Sequence, residues 1–332
     1  TAFGNQADLV FDNPNVGTDK SLYGSKIALS RDGRVLAITR GQLLESDNRT
    51  NSEVTLNAQS SKKSDVTVME LRDSRWVQRG QTITSSDVQY SRRVVIDGTI
   101  AEEQSKIISD GTGGNTYGTG LSLNSRGDVI AIGCPNNDYG SVGTTNGYAE
   151  VLFFDGIEWQ RMYFEATGHA NGSIYNGYRV FQIRSVDSGY QTDGPTPTST
   201  HWNQNETLGD EFGTSVELNG VGNKLIVGAP GWKSPSTIPA QQNDGAAFIF
   251  NYRTAVDQSA SSAGVSRTYT VWQHGNEVGP EGLVYAPGRA GRLGFDVGMS
   301  DSGLMSYAGE PNQSLFEYNS TIVRGGQVQR LE

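Results

Sequence analysis

Apolar and polar positions alternate in short runs along this chain, and one run recurs. It reads "YGSKIALSRDGRVLAIT" from Tyr23, "YGTGLSLNSRGDVIAIGCPNND" from Tyr117, "EFGTSVELNGVGNKLIVGAPGWK" from Glu211 and "LGFDVGMSDSGLMSYAGEPNQ" from Leu293. Each copy opens on a large apolar residue and a glycine, then alternates, as in Leu121-Ser122-Leu123 and Val216-Glu217-Leu218. A period of two marks a strand whose faces meet different surroundings. A short polar turn with glycine follows: Arg31-Asp32-Gly33, Ser125-Arg126-Gly127, Gly220-Val221-Gly222 and Asp301-Ser302-Gly303. Glycine turns between such strands predict hairpins. The next strand is almost wholly apolar (35–38, 129–132, 225–227), which predicts burial on both faces.

Two more strands are predicted in each copy. The third strands are 65–71, 148–154, 246–252 and 314–318; the fourth are 75–83, 157–163, 267–274 and 322–331. "DSRWVQRG" and "DGIEWQRM" are matching hairpins from third to fourth, which makes Trp76 and Trp159 packing residues. No helical period of useful length intervenes. The fold class is therefore all-β: a β-propeller of four-stranded antiparallel blades, in one domain over 1–332, with copies starting near 23, 117, 212 and 294.

The segments "FGTSVEL…LIVGAP…GAAFIF" and "YGTGLSL…IAIGCP…GYAEVLFFDGIEWQ" resemble FG-GAP repeats, the blades of integrin-α-type propellers. The resemblance runs from about residue 21 to the end and is strongest in the copies at Tyr117 and Phe212. It implies a non-enzymatic, extracellular or cell-surface protein that binds other proteins across one propeller face. Such blades often carry an acidic calcium loop between their first two strands. Here that place holds only "SRDGR", "NSRGD", "NGVGN" and "SDSG", too short and too poor in oxygen ligands for a cage. The chain resembles the calcium-free variety, and no cofactor is expected; the inter-strand loops do not support calcium, which is left open only for the oxygen-rich Asn136, Asn137 and Asp138. Four copies are fewer than the seven such propellers usually have, so the chain is either a small propeller or part of a larger one.

Connection lengths divide the two faces. The links from second to third strand (40–64, 134–147, 229–245) are long, as are those between copies (84–116, 164–211, 275–293). Long loops cost little extra closure entropy and tend to carry function. Within them Asn136, Asn137, Asp138 and Tyr139 head one loop, and Trp202 and Trp232 lie in others with Tyr175, Tyr178 and Tyr190. Exposed aromatics beside amides suit sugar rings and equally suit a protein interface. Surface glycans are thus the alternative ligand class, as for a lectin-like propeller, and a glycoside hydrolase is the less favoured third reading. Self-assembly is a further expected mode. No catalytic constellation stands out; Glu102-Glu103 and Asp210-Glu211 are adjacent pairs that diverge on an extended chain.

Composition narrows the partners. With 42 glycines and 10 prolines in 332 residues, a strand-and-turn protein is favoured over a helical one. The net charge of −10 leaves no basic stripe for nucleic acid. No run approaches the roughly 18 apolar residues of a membrane helix, so no membrane insertion is expected. The single cysteine, Cys134, stands where the third copy has Ala229, and reads as a small buried side chain. "GAPGWKS" has the wrong spacing for a phosphate loop, and Arg126-Gly127-Asp128 falls where the repeat demands a turn. Residues 7–12, with Leu9, Val10 and Phe11, are expected to pair with the last copy and close the ring; otherwise the open edges pair with another chain.

Glycosylation acceptors stand at Asn48, Asn171, Asn205, Asn312 and Asn319. If the protein is secreted, its intact mass falls on glycosidase treatment. A mass equal to the bare chain counts against an extracellular site.

Overall fold

Four glycines close four hairpins in the same way, and the architecture is built on them. The computed structural model describes residues 21–42, 64–84, 88–96, 99–107, 117–135, 147–165, 169–170, 173–174, 178–180, 183, 211–232, 245–257, 267–274, 283–285, 291–311, 314–318, 321–324 and 327–331. Gly33, Gly127, Gly222 and Gly303 hold φ of 71°, 67°, 81° and 69°, where a side chain would be strained. Each donates its amide to the carbonyl three residues back, on Ser30, Asn124, Asn219 or Ser300, at 2.8–3.0 Å. Those four residues also use their side chains. Asn219 Oδ1 accepts from the amides of Gly222, Asn223 and Lys224, and Asn124 Oδ1 from those of Asp128 and Val129. Ser30 Oγ and Ser300 Oγ accept from Val35 and Met305. Short polar side chains that bond nearby backbone make such turns self-sufficient.

The flanking strands are Ser21–Leu29 with Val35–Gln42, Gly120–Leu123 with Val129–Cys134, Ser215–Leu218 with Lys224–Ala229, and Val297–Met299 with Ser306–Glu310. All four pairs are antiparallel. Third strands Asp65–Arg72, Tyr148–Phe154, Ala246–Asp257 and Gln327–Leu331 add to them. Fourth strands Arg75–Gln78, Trp159–Arg161 and Arg267–His274 complete the first three sheets. The protein is all-β, with one antiparallel sheet per copy and no helix among the described residues.

Three expectations need correction. In the fourth copy Ser314–Tyr318 is not the third strand of the sheet. It pairs with Thr321–Arg324 in a separate hairpin, and Gln327–Leu331 takes the third place. Only two polar residues, Asn319-Ser320, separate these two runs in sequence, a spacing that suits a local hairpin. The predicted fourth strands 75–83 and 157–163 are shorter, Arg75–Gln78 and Trp159–Arg161. The insertions 84–116 and 164–211 are more than connections. Val88–Ile96 and Thr99–Ile107 form a hairpin that Tyr178–Val180 joins, and Phe164–Glu165 links them to Arg267–His274. These additions cover what would otherwise be the open edge of the third sheet, now nine-stranded. Residues 7–12 lie outside the described residues.

Successive sheets stack through three apolar clusters. Val35, Ala37, Val66 and Val68 of the first sheet meet Tyr117, Leu121, Leu123 and Ile130 of the second. Ala131, Ala149 and Val151 of the second meet Phe212, Val216, Leu218 and Phe248 of the third. Ile226 and Ala247 of the third meet Leu293 and Ala308 of the fourth. Neighbours such as Ile130 and Ala131 thus serve different clusters, as the two-residue period requires. Farther out, Trp159 docks on the first sheet's chain. Its indole donates to the Arg79 carbonyl at 2.8 Å, and Gln81 pairs both its backbone groups.

Successive sheets approach closely where glycine faces glycine. A Cβ added to Gly133 would fall well inside contact with the Gly213 carbonyl, and one on Gly228 would meet that of Gly294. In the first copy Thr39 takes this place, and its hydroxyl donates to the Gly118 carbonyl at 3.0 Å. Replacing Gly228 with Val should therefore destabilise the protein by about 2–4 kcal/mol through overpacking. Asp128→Ala, in a turn, should cost under about 1 kcal/mol. Thermal melts of the two variants separate these outcomes; equal midpoints would deny the close approach.

Candidate functional site

The opening strands of all four copies line one cavity of ≈ 280 Å³. Apolar Ile27, Leu29, Leu121 and Val216 share it with Glu217 and Asp296. At the turn end of these strands the hairpin tips are tied together. The Arg31 amide donates to Ser125 O at 3.2 Å, that of Ser125 to Gly220 O at 3.0 Å, and that of Gly220 to Asp301 O at 2.9 Å. Ser125 Oγ donates to the Asp301 carboxylate at 3.1 Å, and the Arg31 guanidinium ion-pairs with the same group.

Glu217 is the distinctive group in the cavity. Burial pushes its carboxyl up from 4.5 to about 7. The Ser122 hydroxyl opposes that shift, the Asp296 charge adds to it, and the Lys26 ammonium opposes it. The site can exchange a proton near neutral pH. Among the described residues no group of three metal-ligating side chains accompanies it. Sequence reasoning passed over these residues, although a signal was present. Lys26, Gly120, Ser215 and Asp296 occupy one column of the repeat, and Ala28, Ser122, Glu217 and Gly298 the next. Charged residues in columns otherwise filled by small ones mark a place where the strands leave space.

Of the residues expected to bind ligands, the structure places Trp232 in the core rather than on an exposed loop. It is 1% exposed and belongs to the cluster that holds Phe212, Phe248 and the small residues Ala229 and Ala246. Its amide donates to Ala229 O at 3.0 Å and its carbonyl accepts from Gly245 at 2.9 Å, so the chain folds back there. Two alanines beside the strand ends leave room for the indole. Asn136, Asn137, Asp138, Tyr139 and Trp202 lie outside the described residues, as do the five acceptor asparagines. Arg126-Gly127-Asp128 is the turn that the repeat demands. Gly127 is buried against Val35, while the Asp128 carboxylate accepts from Asn124 at 2.7 Å and pairs with Arg126 at 3.2 Å.

A second charged group is structural. Glu150 is fully buried and paired with Arg161 Nε at 2.7 Å. Burial and the nearby Glu150 charge push the Tyr117 hydroxyl well above its ordinary range. A buried pair of this kind costs desolvation on both sides, and breaking it strands a charge.

No family model and no curated protein matches the chain. Among solved structures it is similar to Kuenenia stuttgartiensis hydrazine synthase, with a TM-score of 0.31 and 12% identity. The match covers 85% of this chain and 54% of that one, so the chain spans about half its length. A likeness of this size carries no argument about fold or activity.

Two outcomes follow for the site. Below pH 4.5 Glu217 is protonated whether the chain is folded or not; above about 7 the folded state carries its charge at a cost. Stability is therefore lost as pH rises through that window, and Glu217→Gln should remove the loss. The variant should equal the parent at pH 4 and exceed it by roughly 1–2 kcal/mol at pH 8, a range already reduced for partial exposure. Parallel melts across pH would show no such divergence if Glu217 were solvated. Trp232→Ala should cost about 3–5 kcal/mol, as for a core aromatic, in chemical denaturation. A stable variant that only loses ligand binding would return Trp232 to the loop face.

Proposed function

We propose that the chain is a non-enzymatic binding and assembly module of the extracellular space or cell surface. It is a β-propeller of the FG-GAP type that holds other proteins on its long-loop face. The observation that carries this reading is the contrast between the two ends of the sheets. At one end the hairpin tips bond mainly to each other, through Arg31, Ser125, Gly220 and Asp301. At the other, the chain leaves Val35–Gln42, Val129–Cys134 and Lys224–Ala229 for the long connections 43–63, 136–146 and 233–244. Loops on a rigid scaffold are where recognition is usually built. The sheet-on-sheet glycine contacts supply that rigidity.

Surface glycans are the second ligand class. The aromatics of the 164–211 insertion, Trp202 with Tyr175 and Tyr190, favour it. The function as such comes from the site and the repeat, since a fold alone fixes none.

Protein and glycan arrays test the reading. Capture should vanish when 136–146 or 233–244 is replaced by a short Gly/Ser linker, and persist in Arg31→Ala at the tips. Loss on changing the tips alone would place binding on the wrong face. Release of reducing sugar, abolished by one carboxylate replacement, would make the protein a hydrolase and sink the proposal.

A further inference from the structure

We propose that two copies of this chain close on one another, so that their sheets share a single ring. The outward face of the first sheet in each copy covers the outward face of the fourth sheet in the other. The inference rests on reading the sheets as blades, and is independent of what the loop face binds.

The three internal junctions follow one rule. A glycine near the start of each copy (Gly118, Gly213, Gly294) abuts the second strand of the preceding sheet, at Thr39, Gly133 or Gly228. The turn glycine (Gly127, Gly222, Gly303) sits on the same strand nearer its start, at Val35, Val129 or Lys224. A Cβ on any of these six would strike the neighbour. The first copy carries the same two glycines, Gly24 and Gly33, with φ of 79° and 71°. Around both there is nothing within 4 Å among the described residues. At the far end Gly309 is the counterpart of Gly133 and Gly228, and the nearest atom to its Cβ position is 3.5 Å away, in its own sheet. Half a junction therefore stands at each end of the stack, and the halves are complementary.

Apolar exposure marks the same two faces. Ile27 and Leu29 are 61% and 57% exposed, whereas their counterparts Leu121 and Leu123 are 5% and 8%. Ile38, beside Ile27 on that face, is already buried, so the open strip is carried by Ile27 and Leu29 of the first strand. On the fourth sheet Tyr307 is 37% and Val328 70% exposed, while Ile226, the counterpart of Tyr307, is fully buried. Trp159 docks on the preceding sheet, but its counterpart Trp76 is only partly buried.

The two open faces do not satisfy each other within one chain. The first and fourth sheets touch at their tips through the long side chain of Arg31, and Gly24 and Gly33 stay uncovered. A face that differs from its complement makes head-to-tail contacts, which end either in a closed ring or in a filament. Two copies of four sheets close with two identical junctions, and about eight sheets is within the range that such rings adopt. Closure covers both of these faces in every copy, whereas a filament leaves one of each open at its ends.

Sedimentation equilibrium of the full chain tests this. The expected mass is twice 35.8 kDa. Gly309→Val and Ile27→Lys, made separately, should each halve it. Gly309 has ordinary room for a side chain in its own copy, so the variant should keep its circular dichroism and cooperative melt. Leu29→Cys and Tyr307→Cys, mixed as two single variants, should form a disulfide between chains on oxidation. A monomer at the highest soluble concentration overturns the pair, as do larger assemblies or a dimer that survives both substitutions. So does a bond within one chain carrying both cysteines. A monomer that still captures ligand would leave the proposed function standing; a dimer that captures nothing would do the reverse.

Discussion

The approach of one sheet's backbone to the next sheet's glycine is the constraint on which the other contacts depend. The carbonyls of Gly213 and Gly294 occupy the space that a Cβ on Gly133 or Gly228 would need. That distance sets how closely the sheets can stack. Only at that spacing do Ala131 and Val151 reach Phe212 and Val216, and Ile226 reach Leu293 and Ala308. The apolar burial is the larger energy. The glycines decide whether it can be realised, because dispersion contacts fall off within an ångström of separation.

The same approach accounts for Thr39. A hydroxyl there exchanges a glycine contact for a hydrogen bond to the Gly118 carbonyl, and Gly118 keeps its positive φ of 86°. The junction tolerates one bulkier partner because Thr39 contributes a donor to a carbonyl already facing it. At the tips the economy is different. Backbone amides run from one turn to the next, and the turn glycines supply both the positive φ and, at Gly127, Gly222 and Gly303, the room for the neighbouring strand. Under the proposed function this leaves the tips inert and the opposite face free to vary.

Two carboxylates inside the stack, Glu150 and Glu217, differ in their surroundings. Glu150 is matched by Arg161. Glu217 has instead the Ser122 hydroxyl and the Lys26 ammonium, and burial pushes its carboxyl up to about 7 in a cavity shared with Asp296. It couples stability to pH in the neutral range, and the sign is set by burial, which favours the uncharged form.

The sequence by itself determined the hairpins. Alternation, glycine turns and apolar second strands specify local pairing within a few residues, and Gly33, Gly127, Gly222 and Gly303 all sit where that pattern put them. Gly118, Gly133, Gly213 and Gly228 also recur in register, but that they meet a neighbouring sheet is visible only in the structure. Only the tertiary structure decided which strand takes the third place in the last sheet, because neither Ser314–Tyr318 nor Gln327–Leu331 carries a clear alternation to mark it. It alone buried Trp232, whose exposure depends on whether Ala229 and Ala246 leave room for an indole. It alone gathered Lys26, Glu217 and Asp296 around one cavity, and carried the 84–116 and 164–211 insertions to the edge of the third sheet. Periodicity reports which face of a strand is apolar; it carries no information about which distant face, edge or charge comes to meet it.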